Sequence, residues 1–189
     1  MDNAEVLDCL AAGRVVYLRG QVKDEMVEYF GSQAHVFREA GDEPVVVMLT
    51  TLGGGVLDGM IIYNMLRLIA QHRKVWLLAS VTVQSVGLTM MMAVPGERRL
   101  AFGDTSFYGH HAKMGYKLEC DGGIRDHEYE IAEYQASLDR HRRERQRLVD
   151  IVAEGTGMKS EDVTALYDAP RFLDVDEARK LGFISGILK

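Results

Sequence analysis

Short runs rich in β-branched residues alternate along the chain with longer stretches of helical spacing. Residues 14–21 predict a strand, and residues 22–40 predict a helix through Met26, Tyr29 and Phe30. Residues 44–49 form a continuous apolar run after a Gly-Asp turn. So short a run predicts a strand covered on both faces, as in a parallel sheet. The pattern breaks at residues 50–55. Residues 57–71 are mostly apolar, with Asn64, Arg67 and Gln71 in one thin polar stripe, which predicts a largely buried helix. Residues 75–79 predict another buried strand. Residues 85–94 predict a short apolar helix stopped by Pro95-Gly96. Residues 99–102 and 105–110 read as short strands, and the glycine-dotted residues 113–123 as a loop. A long helix follows over 125–154, with Ile131, Tyr134, Leu138, Leu148 and Ile151 as its apolar stripe. Ser160 is placed to cap a helix through Tyr167. Asp174 and Glu177 form a capping-box pattern for another, which Gly182 ends. Residues 183–188 predict a last strand. The order is that of an α/β protein.

Composition narrows the class. A chain of 189 residues is about one domain, 1–189. The two cysteines, Cys9 and Cys120, are too few for a disulfide framework, so a reducing compartment is expected. The formal net charge of −6 argues against nucleic acid as a partner. The basic run 140–147 is then read as a solvated helix face or a salt-bridged interface. No apolar run is long enough to span a membrane, and the acidic start, Asp2 and Glu5, is unlike a signal peptide. A cytoplasmic protein is expected. No metal or other cofactor is called for by any Cys, His or carboxylate cluster.

Three features could carry chemistry. Gly53-Gly54-Gly55, between a buried strand and a buried helix, lets backbone approach a ligand closely, although it is neither of the usual nucleotide-binding patterns. Ser85 opens an apolar helix, where unpaired N–H groups could hold an oxyanion beside a nucleophilic hydroxyl. It could equally be an ordinary N-cap. His110 and His111 follow a strand, so their side chains should face opposite ways and at most one should meet Ser85.

Taken in order, these features resemble the Clp protease proteolytic subunit (ClpP) family. Leu49-Thr-Thr-Leu-Gly-Gly-Gly-Val-Leu-Asp-Gly-Met-Ile-Ile-Tyr63 is similar to its Ile-Asn-Ser-Pro-Gly-Gly segment. Arg14-Val-Val-Tyr-Leu-Arg-Gly-Gln-Val22 resembles its first strand. Ser85-Val86-Gly87 falls where the family has Ser-Met-Gly, and His110 follows at the family's spacing. Thr156-Gly157, Arg171-Phe172-Leu173 and Glu177-Ala178 match its C-terminal part. The resemblance implies a ClpP/crotonase-like spiral of ββα units with a protruding handle over about 111–154. It implies Ser85 as nucleophile, His110 as general base, and Gly54 and Val86 as oxyanion donors. It also implies a self-assembled heptameric ring, stacking in pairs, that takes peptide or unfolded protein. Residues 115–123 fall where the family has a strand that pairs with extended substrate.

The departures from the family are specific. Pro170 stands where the family's triad aspartate is expected; Asp168, two residues earlier, is the candidate to reach His110, with a carbonyl or water as the alternative third member. Val81-Thr82-Val83-Gln84 replaces Gly-Gln-Ala-Ala before the nucleophile. His111 and Lys113 replace a Gln and a Pro. The family's N-terminal axial hairpin has no counterpart, which weakens the expectation of a Clp-type ATPase partner. Two other readings follow: a non-catalytic ring subunit with a degraded triad, and a crotonase-like acyl-CoA enzyme, which would need neither Ser85 nor His110.

Overall fold

The computed structural model describes residues 3–113 and 123–188. Cys120, and the expected substrate-pairing strand apart from Gly123, lie outside the described residues. The chain runs α1 (Asn3–Ala11), β1 (Val15–Arg19), α2 (Asp24–Ser32), α3 (Ala34–Glu39), β2 (Val45–Thr51), α4 (Val56–His72), β3 (Val75–Gln84) and α5 (Val86–Met91). It continues through β4 (Arg99–Phe102), β5 (Ser106–Tyr108), α6 (Ile124–Thr156), α7 (Ser160–Asp168), β6 (Phe172–Leu173), α8 (Val175–Lys180) and β7 (Gly186–Leu188).

The backbone of the fold is a parallel sheet in the order β1-β2-β3-β4-β7. Alternation along β2 decides which side each residue covers. Val45, Val47 and Leu49 face the main core with Phe30, Ile62, Leu66 and Leu88, under α2, α4 and α5. Val46 faces the other side with Trp76, Leu78 and Leu100, where Val6 and Cys9 of α1 close over them. Each fully buried aliphatic side chain is worth about 1.5–3 kcal/mol of transfer free energy. That gain lets a nine-residue helix such as α1 hold its place, although it is too short to be stable alone. The Glu5 carboxylate adds a polar tie, accepting from Trp76 Nε1 at 2.6 Å and Lys74 Nζ at 2.8 Å.

Strand β3 changes partner halfway along. Leu77–Ala79 pair with β4, whereas Thr82–Gln84 pair with β5. Between them Val81 sits at φ +61°, with the register against β2 shifted. This hand-over leaves the second half of β3 on β2 through Val83 and Thr51, but exchanges β4 for β5 on its other side and delivers Ser85 beside β5. Strand β6 then pairs antiparallel with β5.

Helix α6 has 33 residues, about 50 Å of rise. Only its C-terminal part is buried, through Leu148, Val149, Val152 and Ala153; Ile124, Tyr129 and Ile131 are exposed. It therefore projects from the body, as a handle would. Its buried end is held by Arg99 of β4, whose guanidinium donates to the Gly155 carbonyl. Burial of that cation lowers its pKa to about 10, against the opposing pull of the Glu97 charge.

Two expectations are corrected, and a third holds in part. The single helix over 22–40 is broken at Gln33 into α2 and α3. The cap of α7 is Lys159, and the Ser160 hydroxyl bonds the Asp150 carboxylate instead. The capping box at Asp174 is partly formed, its side chain accepting the Glu177 N–H at 2.8 Å.

Candidate active site

Ser85 sits at the end of β3, immediately before α5, at φ +56°. A serine there is held in a sparsely populated backbone region, which costs of order 1–3 kcal/mol unless its surroundings enforce it. Two neighbours do so. The Ser85 N–H donates to the Tyr108 carbonyl at 2.8 Å, extending the β3–β5 ladder by one bond. Gly53 closes from the other side. A Cβ at Gly53 would stand 2.5 Å from the Ser85 Cβ, so only glycine fits.

The glycine turn is itself pinned. Val22 N–H donates to the Gly53 carbonyl at 2.9 Å, and Gly55 N–H donates to the Val22 carbonyl at 2.8 Å. In such a parallel bridge the central residue's own N–H points to the opposite edge. The Gly54 N–H is thus turned away from Val22. Gly54 lies at φ +157°, and a Cβ there would meet the Val22 carbonyl oxygen at 2.1 Å. Thr51 completes the mount. It is buried, its hydroxyl donates to the Gly20 carbonyl at 2.6 Å, and it accepts the Gly53 N–H at 3.0 Å. Val86, first residue of α5, has no intrahelical acceptor for its N–H.

His110 lies two residues beyond the carbonyl that holds Ser85. Gly109 makes the approach possible, because a Cβ there would stand 2.3 Å from the Tyr167 ring. The His110 ring packs against Tyr108 with centroids 5.8 Å apart. Its Nδ1 is 2.7 Å from the His111 carbonyl oxygen. A carbonyl only accepts, so Nδ1 carries the proton and Nε2 is left with its lone pair. Ser85, His110, Gly53 and Gly54 line one cleft of about 780 Å3, which also takes in His141 and Glu144 of α6. Ser85 Oγ makes no hydrogen bond to His110 in this structure.

Asp168, expected to orient His110, is paired elsewhere. Its Oδ1 accepts from His111 Nε2 at 2.9 Å and lies 4.0 Å from Arg145. The reason is the reach of the β5–β6 ladder. Phe107 faces Leu173 and Tyr108 faces Phe172, and the ladder stops before it reaches His110. Asp168 ends α7, short of that strand, and meets the next side chain instead. The two histidines do face different ways: His110 lines the Ser85 cleft, and His111 turns to Asp168 and the edge of Tyr167. Burial and the Arg145 charge lower the His111 pKa, outweighing the pull of Asp168. Among the described residues no group of three or more His, Cys, Asp or Glu is placed to hold a metal, and no helix is long and apolar enough to cross a membrane.

A spiral α/β body, a projecting helix, and a serine at a strained strand-to-helix turn beside two glycines define the class of the Clp peptidase subunits. Residues 2–189 match the Clp protease family model, and the chain belongs to that family. It is 28% identical over 179 residues to ATP-dependent Clp protease proteolytic subunit 3 of Rhizobium etli, covering 95% of this chain and 86% of the relative. It is 26% identical over 186 residues to ATP-dependent Clp protease proteolytic subunit 2 of Pseudomonas aeruginosa, covering 98% and 86%. A solved structure of a ClpP1 mutant from Listeria monocytogenes superposes with a TM-score of 0.79 at 22% identity, over 100% of this chain and 96% of that one. The likeness to that structure establishes the shared fold.

Proposed function

We propose that the chain is a serine peptidase of the ClpP type, with Ser85 as nucleophile and His110 as general base. The observation that carries this reading is the mounting of Ser85: left-handed backbone at a helix start, with Gly53–Gly54 against it and His110 in the same cleft. His110 Nε2 takes the Ser85 proton as Oγ attacks the peptide carbonyl carbon. The N–H groups of Gly54 and Val86 hold the oxyanion. His110 returns the proton to the leaving amine, and water then releases the acyl group by the same steps. The His111 carbonyl, rather than Asp168, fixes the tautomer of His110. Apo hydrogen bonds between nucleophile and base are often long and tighten with substrate, so the open Ser85–His110 pair is compatible with catalysis. The subunits assemble into a heptameric ring that pairs through α6 with a second, enclosing the peptide substrate in the cytoplasm; no nucleic acid or membrane takes part.

A second reading, a non-catalytic ring subunit, is favoured by two facts: Asp168 is paired with His111 and not with His110, and the Ser85–His110 bond is open. A fluorophosphonate probe with intact-mass readout separates the two. One adduct, abolished by Ser85→Ala and by His110→Ala, is the expected result. Asp168→Asn should slow labelling by less than about tenfold, against the roughly 10⁴ in kcat that loss of a true triad aspartate costs. No adduct in an assembled protein would leave only the non-catalytic reading. An adduct that survives Ser85→Ala would place the nucleophile at another serine.

A further inference from the structure

The cleft has a wall that the Ser85–His110 chemistry does not use. It is formed by α6, which projects His141 and Glu144 one turn apart into the same cavity as Ser85. Among the described residues the Glu144 carboxylate has no hydrogen bond or ion pair. Two neighbouring arginines on the helix are engaged away from it: Arg142 with Asp139 at 3.0 Å, and Arg145 near Asp168 at 4.0 Å. The only other charged group lining the cleft among the described residues is Lys113, on the segment leaving His110.

We infer that Glu144 is a specificity-determining residue, selecting peptides that carry a lysine or arginine on the acyl side of the scissile bond. The inference rests on the reading of Ser85 as nucleophile. A residue acylated on Ser85 sends its side chain into this cleft, and the α6 wall is what that side chain meets. A carboxylate on a short stem, fixed to a helix, is a defined counter-charge. Glu144 and Lys113 are both exposed, but Lys113 ends a longer, more flexible stem and is the less defined charge of the two. His110 must be neutral to act as a base and adds no charge in the reactive state. In a partly enclosed cleft an ion pair is stronger than in bulk water, because the effective dielectric is lower.

The test is a set of peptides that differ only at the residue preceding the scissile bond: Lys, Arg, Leu or Glu. kcat/KM is measured on the full-length assembled protein, with fluorophosphonate labelling of Ser85 alongside. The wild-type protein should favour Lys and Arg over Leu. Glu144→Gln should lower the Lys/Leu ratio about fivefold, the range of a single charge pair. Glu144→Lys should invert the preference towards the Glu peptide. Because each ratio is taken within one variant, partial loss of folded protein cancels. A preference for Leu, or a Lys/Leu ratio unchanged in Glu144→Gln, overturns the inference while labelled Ser85 leaves the nucleophile reading intact. A wild-type preference for Glu would give the cleft to Lys113 and overturn it equally. Absence of labelling in the wild-type protein overturns both.

Discussion

The two sides of the cleft are built by different means. The nucleophile side grows out of the sheet. Thr51, Gly53, Gly55 and Ser85 each have a backbone or hydroxyl group fixed by a bond of 3.0 Å or less, to partners as distant in sequence as Gly20, Val22 and Tyr108. The base side is a segment leaving the short strand β5. Its histidine is held by the carbonyl of the next residue and by one ring contact. In a triad the carboxylate of a distant residue ties the base to the body of the fold. Here the Asp168 carboxylate pairs with His111 instead. The geometry of the glycine turn is thus over-determined, whereas the position of His110 depends on local backbone.

The sharpest way to break this comparison is Gly54→Ala. The added Cβ would lie 2.1 Å from the Val22 carbonyl oxygen, at a φ of +157° that alanine does not adopt. The turn must shift, and the Gly54 N–H shifts with it. Removal of one oxyanion donor costs about 10²–10³ in rate, so the fluorophosphonate labelling rate should fall by that factor. Thermal melting run beside it identifies global unfolding. A folded variant that labels within about tenfold of the wild type would show that Gly54 is no oxyanion donor.

Val81 gives a smaller effect of opposite sign. It lies on the rigid side, at φ +61°, 60% exposed, where the resembling family has glycine. A β-branched residue in left-handed backbone is a true outlier, held at about 1–3 kcal/mol. Glycine relieves that strain but adds about 0.5–1 kcal/mol of unfolded-state entropy. Val81→Gly should therefore stabilise the chain by about 1 kcal/mol, measured by denaturant or thermal unfolding. Destabilisation would mean that packing by the Val81 side chain outweighs the backbone strain it carries.

Much of the fold was legible because burial writes itself into apolar runs. Residues 44–49 and 57–71 announce β2 and α4, which carry the centre of the core. Strand β3 was legible only to Ala79. Beyond it the strand changes neighbour from β4 to β5 and kinks at Val81, and nothing in a hydropathy pattern marks a change of partner. Residues 22–40 read as one helix because Met26, Tyr29 and Phe30 keep the period, while the break at Gln33 is a tertiary choice. At the site, the alternation of His110 and His111 was readable from strand geometry. The partner of Asp168 was not, because counting along the chain cannot supply the β5–β6 register. Glu144 was hidden within a basic run that read as a solvated face, since periodicity does not say which part of a projecting helix looks back into a cleft.

The base side offers the smallest and most local test. Burial, then the Arg145 charge, holds the His111 pKa below its ordinary 6.5, although the Asp168 bond opposes them. The folded state thus prefers neutral His111, and its Nε2–H already serves the carboxylate without a second proton. In the window between the ordinary value and the lowered one, the unfolded chain binds more protons than the folded one. The stability this neutral ring contributes is fully present above pH 6.5 and is lost as pH falls through the lowered folded value. Melting temperatures taken from pH 8 down to 5 should fall in the wild type and fall less in His111→Gln, which keeps an N–H donor for Asp168 but does not titrate. The same carbonyl that fixes His110 belongs to His111, so the drop in stability should be accompanied by slower labelling of Ser85, and His111→Gln should lessen that slowing. Parallel pH profiles of labelling in the two proteins would show that His111 does not reach the base, and the base side would then rest on backbone alone.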